Sequence, residues 1–165
     1  MLISYELSKG GVVPPISRSP DRVGLIQGVH AAVDPGRGRV TARKGGVIGL
    51  QFSGISAEAE WMEIGIQLGS KRWLGSTRIF VQMRVTGTPE TSARVALRVQ
   101  MRDGFQDFFA AEPVQLSAAP AWAGAELFPP AWAAQAGTRL DVHLFLPPRD
   151  TEVEIHDFAA TASGA

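Results

Sequence analysis

Four stretches of the chain alternate apolar and polar residues with a period of two. They are Arg78 to Val85 (RIFVQMRV), Arg94 to Arg102 (RVALRVQMR), Arg139 to Leu146 (RLDVHLFL) and Glu152 to Phe158 (EVEIHDF). Because alternate side chains of a strand point to opposite faces, this pattern predicts β-strands with one buried face and one polar face. Residues Ala59 to Leu68 (AEWMEIGIQL) show the same alternation and predict a fifth strand.

The two faces of these strands differ in chemistry. The apolar positions are predicted to form one buried layer, made of Ile79, Val81, Met83, Val85, Val95, Leu97, Val99, Met101, Leu140, Val142, Leu144, Val153 and Ile155. Long hydrogen-bonding side chains occupy the other face, namely Gln82, Arg84, Arg98, Gln100, Arg102, Asp141, His143, Glu154 and His156. By the same parity, this polar face also carries the aromatic residues Trp61, Phe80, Phe145 and Phe158.

Turn-forming residues separate the predicted strands. Lys44-Gly45-Gly46 predicts a hairpin within residues 38–52, and Thr86 to Pro89 predicts a turn that pairs the two long strands around it. Asp103-Gly104 marks a further turn, whereas the Ala/Pro-rich segment 117–137 predicts a long loop with a short helical turn near residues 131–136. Short strands punctuated in this way predict an all-β fold, specifically an antiparallel jelly-roll β-sandwich.

The length of 165 residues suits a single domain. Residues 1–37 are rich in Gly and Pro and poorly patterned, so we expect an N-terminal arm or edge strand there. Residues 38–162 are expected to form the sandwich domain.

Charge and composition exclude several function classes. Sixteen basic residues balance 16 acidic ones, so we expect no nucleic-acid partner. Without cysteine, neither disulfides nor thiolate metal sites hold the fold. Neither a signal peptide nor an apolar stretch of membrane-spanning length is recognisable, so we expect a soluble chain, without membrane insertion, that is cytoplasmic at synthesis.

Motifs of the common hydrolases, nucleotide-binding proteins and zinc proteases are absent from the sequence. Glu63, Asp141 and Glu154 can supply a pair of carboxylates for glycoside hydrolysis if their strands are adjacent. Acids are common on solvated sheet faces, so this is the weaker alternative and we expect no enzymatic activity.

Asp141, His143, His156 and Asp157 are the candidate metal ligands, because the last two strands carry two of the three histidines. The favoured interpretation is that His143 and His156 are cross-strand neighbours, hydrogen-bonded to Glu154 or Asp141 without an ion. We therefore predict no metal or other cofactor, although loop oxygens near Asp103 or Asp150 leave a structural calcium ion open.

Sugar binding needs aromatic surfaces beside planar groups that donate and accept hydrogen bonds. In the predicted hairpin, Arg84, Arg98 and Arg102 fall on one face, where they require anionic or planar partners. The opposing interpretation is that these rows are merely solvated outer faces and that the tryptophans fill the ends of the sandwich. The candidate ligand-binding residues are Trp61, Gln82, Arg84, Arg98, Gln100, Arg102, Asp141 and His143.

From about residue 59 to residue 162, the order of features resembles the non-catalytic carbohydrate-binding modules and galactose-binding-like jelly rolls. The resemblance rests on a Trp-bearing strand (EWMEIGIQL), two long strands (RIFVQMRV and RVALRVQMR), a Trp-bearing loop (LSAAPAWAGAELFPPAW) and two closing strands (RLDVHLFL and EVEIHDF). It implies glycan binding without chemistry, through a concave sheet face or apical loops.

The alternative function is structural. A sandwich with an N-terminal arm can pack against copies of itself or against other protein subunits, as a homo-oligomer or within a larger particle. The expected partners are therefore a glycan or other protein subunits.

Overall fold

Two antiparallel β-sheets make up the fold. The computed structural model describes residues 18–26, 28–43, 48–68, 73, 75–134 and 138–164. Within them the strands are β1 (Arg18–Ser19), β2 (Arg22–Ile26), β3 (Val29–Val33), β4 (Arg39–Arg43), β5 (Ile48–Ser53), β6 (Met62–Gln67), β7 (Arg78–Thr88), β8 (Thr91–Met101), β9 (Gly104–Phe109), β10 (Val114–Leu116), β11 (Ala121–Leu127), β12 (Arg139–Leu146) and β13 (Thr151–Ser163). A 3₁₀ turn spans Ala131–Ala134.

The first sheet has the strand order β1-β2-β3-β6-β12-β8-β10, and β9 pairs with the other end of β8. The second sheet has the order β11-β7-β13-β5-β4. The predicted all-β sandwich is therefore confirmed. In the described part of the chain, no helix is long and apolar enough to cross a membrane.

The predicted buried layer forms the core between the sheets with one exception, and one residue that was predicted to face outward joins it. Met101 is 37% exposed, because it ends β8 where the chain turns toward β9. Phe158 was predicted to face outward but is 2% exposed. The register of β13 against β7 shifts between Ile155 and Asp157, and this bulge reverses the parity of the residues that follow it.

The predicted pairing of the strands on either side of Thr86 to Pro89 is wrong. Strand β7 lies between β11 and β13 in the second sheet, whereas β8 lies between β12 and β9 in the first. The connection therefore crosses the core instead of closing a hairpin. Alternation fixes which face of a strand is buried, but it does not fix the neighbour with which that strand pairs.

The described part of region 1–37 contributes strands β1, β2 and β3 to the first sheet, with Val29, Ala31 and Val33 buried in the core. The sandwich thus contains strands that precede the boundary expected at residue 38; residues 1–17 of the expected arm or edge strand lie outside the described residues. Strands β4 and β5 pair as the predicted hairpin, although its turn, residues 44–47, also lies outside them.

Strand β11 corrects the interpretation of the Ala/Pro-rich segment as a long loop. Residues Ala121–Leu127 pair along their whole length with β7 and form an edge of the second sheet. Alanine and glycine have weak strand preferences, so pattern alone did not reveal this strand. The predicted helical turn is present as the 3₁₀ turn at Ala131–Ala134.

Candidate functional site

The outer face of the first sheet collects polar and aromatic side chains from five adjacent strands. Cross-strand pairing aligns His30, Gly65, His143, Ala96 and Phe109 in one row across β3, β6, β12, β8 and β9. Neighbouring rows carry Glu63 with Phe145 and Arg94, and Asp141 with Arg98 and Asp107. We call this surface the first-sheet face.

Glu63 is the centre of a buried polar network on this face. Its carboxylate lies 3.1 Å from Nδ1 of His143, 3.6 Å from Nε2 of His30 and 3.2 Å from Nη1 of Arg98. Arg98 in turn donates to both carboxylate oxygens of Asp107, from Nε at 2.7 Å and from Nη2 at 2.8 Å. These contacts fix four side chains from β3, β6, β12 and β8 relative to one another and to β9.

The network stabilises the ionised forms of Glu63 and Arg98. Burial alone would raise the pKa of the Glu63 carboxyl, but hydrogen bonds from His143 and His30, together with the charges of His143 and Arg98, hold it well below its usual range. Burial opposes the charge of Arg98 as well. The hydrogen bonds to Asp107 and the negative charges of Glu63 and Asp107 outweigh this effect and raise the pKa of Arg98.

Gly65 makes room for His30. A β-carbon at position 65 would lie 2.2 Å from Cε1 and 2.6 Å from Nε2 of the His30 ring. The imidazole therefore lies directly over the backbone of β6. Because glycine leaves this space free, His30 can reach across β6 toward Glu63 and toward His143, whose ring centroid is 5.6 Å away.

Phe105, Phe109 and Phe145 form an aromatic shelf beside the network. Phe105 is 55% exposed and Phe109 43% exposed, and the rings of Phe109 and Phe145 lie 5.5 Å apart. Guanidinium groups cover two of these rings, with Arg94 3.9 Å above Phe109 and Arg98 4.0 Å above Phe105. Such cation–π contacts limit the freedom of the arginines and leave their edges able to donate hydrogen bonds.

The aromatic shelf continues into an open cleft of about 320 Å³. Trp61, which precedes β6, lines this cleft together with Arg94, Phe109 and Phe145. An aromatic floor and a guanidinium in one cleft offer both stacking and hydrogen bonding to a ligand.

The predicted ligand-binding residues divide between the two sheets. Arg98, Gln100, Asp141 and His143 lie on the first-sheet face, and Trp61 lies at its border. Gln82 and Arg84 lie on the outer face of the second sheet, where Arg84 pairs with Asp157 at 2.6 Å, and Arg102 is exposed in the turn after β8. The predicted cluster of three arginines on one hairpin is therefore wrong, because β7 and β8 belong to different sheets.

Sequence reasoning missed His30, Gly65, Asp107, Phe105 and Phe109 as parts of this face. The alternation of Val29, Ala31 and Val33 around His30 was a usable signal. The run FQDFF after the Asp103-Gly104 turn likewise suits a strand that returns along β8. Gly65 gave no sequence signal, since its role depends on a ring contributed by another strand.

The candidate metal ligands do not come together. His156 and Asp157 lie on β13 in the second sheet, so they are remote from Asp141 and His143 on β12, and the favoured pairing of the two histidines as neighbours is also wrong. His30, Glu63 and His143 form a different set, in which one potential ligand atom from each residue lies within 4.8 Å of the others.

The three candidate catalytic carboxylates do not all lie on one sheet. Glu154 lies on the second sheet, whereas Glu63 and Asp141 share the first-sheet face. Asp141 accepts hydrogen bonds from Arg139, the shortest at 2.9 Å, and Glu63 is held by the network. Both carboxylates are engaged by cationic or imidazole groups.

Comparison with known proteins identifies the fold. No protein-family model matches the sequence, and no curated protein matches it significantly. The structure is similar to the CBM22-1 xylan-binding domain of Paenibacillus barcinonensis Xyn10C, with a TM-score of 0.58 and 13% identity over 99% of this chain and 94% of that one.

Two structures of family 11 carbohydrate-binding modules from Clostridium thermocellum are also similar. The module of the cellulosomal cellulase Lic26A-Cel5E has a TM-score of 0.53 and 10% identity over 100% of this chain and 95% of that one. The other, in complex with a β-1,3-1,4-mixed-linked tetrasaccharide, has a TM-score of 0.50 and 12% identity over 85% of this chain and 91% of that one. The chain thus has the jelly-roll β-sandwich fold of carbohydrate-binding modules.

Proposed function

We propose that this protein is a non-catalytic carbohydrate-binding module that holds a glycan on its first-sheet face. The observation that carries the proposal is the position of the aromatic shelf. Phe105, Phe109 and Phe145 lie on the same sheet face as the Glu63–Arg98–Asp107 network and next to the cleft of Trp61. A pyranose ring needs this combination, because it has apolar C–H faces and a rim of hydroxyl groups.

The fixed geometry of the polar groups supports binding. Arg98 is held by Asp107 and Glu63, and Arg94 rests on the ring of Phe109. Side chains that are already ordered lose little conformational entropy when a ligand binds.

The state of the carboxylates argues against glycoside hydrolysis. A glycosidase needs one protonated carboxyl as the general acid, and the pKa of that group is usually raised. The network instead lowers the pKa of Glu63, which keeps this carboxylate ionised. Glu63 is therefore suited to orienting His143 and Arg98, not to donating a proton.

The similar structures suggest which glycans to test first. One is named as a xylan-binding domain, and another was solved with a β-1,3-1,4-mixed-linked tetrasaccharide. We therefore choose xylan oligosaccharides and mixed-linkage glucan oligosaccharides as probes, with isothermal titration calorimetry as the measurement.

The main experiment compares the effect on glycan binding of removing one exposed aromatic residue from each sheet. Phe109→Ala should weaken binding at least about tenfold, which corresponds to about 1.4 kcal/mol, because the ligand loses the ring and Arg94 loses its support. Trp122→Ala is the matched control, since Trp122 is an exposed aromatic residue on the second sheet. If Trp122→Ala abolishes binding and Phe109→Ala leaves it unchanged, the glycan binds to the second sheet. If neither probe binds to the wild type, and a wider glycan panel also gives no binding, the proposed function is wrong.

A second candidate is association with another copy of the chain, through edge strand β11. Trp122 on this strand is 63% exposed, and Phe128 just beyond it is 60% exposed. An edge strand has unpaired backbone groups, and exposed aromatic residues are enriched at protein interfaces. Sedimentation velocity should then show a concentration-dependent dimer that Trp122→Ser converts to a monomer. A wild type that stays monomeric at high concentration would rule this candidate out.

A further inference from the structure

We propose that His30, His143 and Glu63 together bind a divalent transition-metal ion of the zinc class on the first-sheet face. These residues come from β3, β12 and β6, three adjacent strands of one sheet. The inference does not depend on glycan binding, because the ligands are contributed by the folded chain alone.

The spacing of the donor atoms fits a tetrahedral ion. Nδ1 of His143 lies 3.1 Å from one carboxylate oxygen of Glu63, and Nε2 of His30 lies 3.6 Å from the other. In tetrahedral coordination at about 2.0–2.1 Å, neighbouring ligand atoms are roughly 3.3–3.4 Å apart. One potential ligand atom from each residue lies within 4.8 Å of the others, so side-chain rotations can bring the three groups around one ion.

The donor types select the metal. Two imidazoles and one carboxylate form a common ligand set of zinc sites, and imidazole also suits cobalt, nickel and copper. Calcium and magnesium prefer sites made of oxygen ligands. Three protein ligands leave a fourth tetrahedral position for water or another ligand, and the side chain of His30, which is 24% exposed, lies on the more open side of the set.

The charge of Arg98 does not exclude a cation. Both oxygens of Asp107 hold the guanidinium through Nε and Nη2, while Glu63 faces Nη1. Glu63 and Asp107 carry two negative charges against the single positive charge of Arg98. Apart from its histidines, the network therefore carries an excess of negative charge, which favours a bound cation.

Nδ1 is the nitrogen of His143 that faces the proposed ion. Its side chain is 2% exposed and its Nδ1 faces Glu63, whereas its Nε2 is buried without a hydrogen-bond partner among the residues that the structure describes.

The test is metal titration of tag-free protein in the absence of any glycan. Co²⁺ is the spectroscopic probe, because its visible absorption distinguishes tetrahedral from octahedral coordination, and Zn²⁺ is added afterwards to displace it. Wild-type protein should bind one equivalent of Co²⁺ with the stronger tetrahedral bands. His30→Gln and His143→Gln should each weaken binding at least about tenfold.

The third histidine of the chain provides the matched control. His156 lies on β13 in the other sheet, so His156→Gln should bind Co²⁺ and Zn²⁺ like the wild type. Stoichiometric Zn²⁺ should also raise the melting temperature of wild type and His156→Gln, and EDTA should reverse this shift. This second readout remains informative if a site variant fails to fold.

Absence of saturable Co²⁺ binding to the wild type, or equal loss of binding in His156→Gln and His143→Gln, would overturn the metal site. Either result would leave the proposed glycan function untouched, since that function is measured separately with sugar probes. Conversely, if the wild type binds the metal but none of the glycans tested, the metal site is supported and the proposed function is wrong.

Discussion

Gly65 and His30 occupy directly paired positions on β6 and β3, and the imidazole of His30 covers the α-carbon of Gly65. The ring fills the space in which any other residue would place its β-carbon. The absence of a side chain on one strand is therefore a condition for the orientation of a histidine on the next.

This relationship predicts a strong coupling between the two positions. Gly65→Ala should destabilise the fold by about 1–3 kcal/mol, because the new methyl group must displace the His30 ring. In a His30→Ala background the same substitution should cost much less, since the obstructing ring is absent. Urea denaturation of the four proteins of this cycle measures the difference, and equal costs in both backgrounds would show that the contact is unimportant.

The central position of Glu63 predicts a second stability effect. Glu63→Gln removes the negative charge that faces His143 and Arg98 and should lower the free energy of unfolding by about 1.5–3 kcal/mol. Glu154→Gln is the control, because Glu154 is 38% exposed on the other sheet and such carboxylates contribute little. Denaturant midpoints that shift equally in both variants would contradict a special role for Glu63.

The geometry of Arg98 predicts that lysine cannot replace it. Lysine keeps the positive charge but loses the planar fork that donates to both oxygens of Asp107 and that lies over Phe105. Arg98→Lys should therefore reduce both stability and affinity for glycan. Arg78→Lys, at a half-exposed position with a 3.4 Å contact to Glu126, should change neither; calorimetry and thermal unfolding compare the two.

Trp73 illustrates an aromatic residue whose role is structural. It is 2% exposed, and its Nε1–H donates to the carbonyl oxygen of Leu68 at 2.7 Å. Trp73→Phe should cost about 1–3 kcal/mol, because a buried carbonyl loses its partner and part of the ring volume is lost. Trp122→Phe should leave the stability of the monomer nearly unchanged, because Trp122 is exposed; thermal unfolding of both variants in dilute solution compares them.

The sequence predicted which face of each strand is buried much better than which strands are neighbours. Alternation placed Val81, Leu97 and Val142 correctly in the core because a period of two is a local property. Pairing depends on long-range contacts, so the short turn between β7 and β8 was mistaken for a hairpin. The bulge between Ile155 and Asp157 shows a further limit, since one extra residue reversed the predicted orientation of Phe158.

The candidate site could be predicted only in part for the same reason. Four residues, Arg98, Gln100, Asp141 and His143, were identified because each lies on a regularly alternating strand. The two strands that carry them, β8 and β12, are neighbours. His30 lies in a region with weak patterning, and Asp107 follows a turn whose returning strand is short. The neighbours of Glu63 depend on the order of β3, β6, β12, β8 and β9 in the sheet. The sequence does not give this order.

Strand β13 occupies the middle of the second sheet, hydrogen-bonded to β7 on one side and to β5 on the other. Both partners are translated well before it. While a ribosome is still synthesising the chain, β5 and β7 therefore have unpaired edges and the apolar side of the second sheet has a gap at its centre. Folding on the ribosome should stall at this stage, and the nascent protein should require protection from aggregation until β13 has left the exit tunnel.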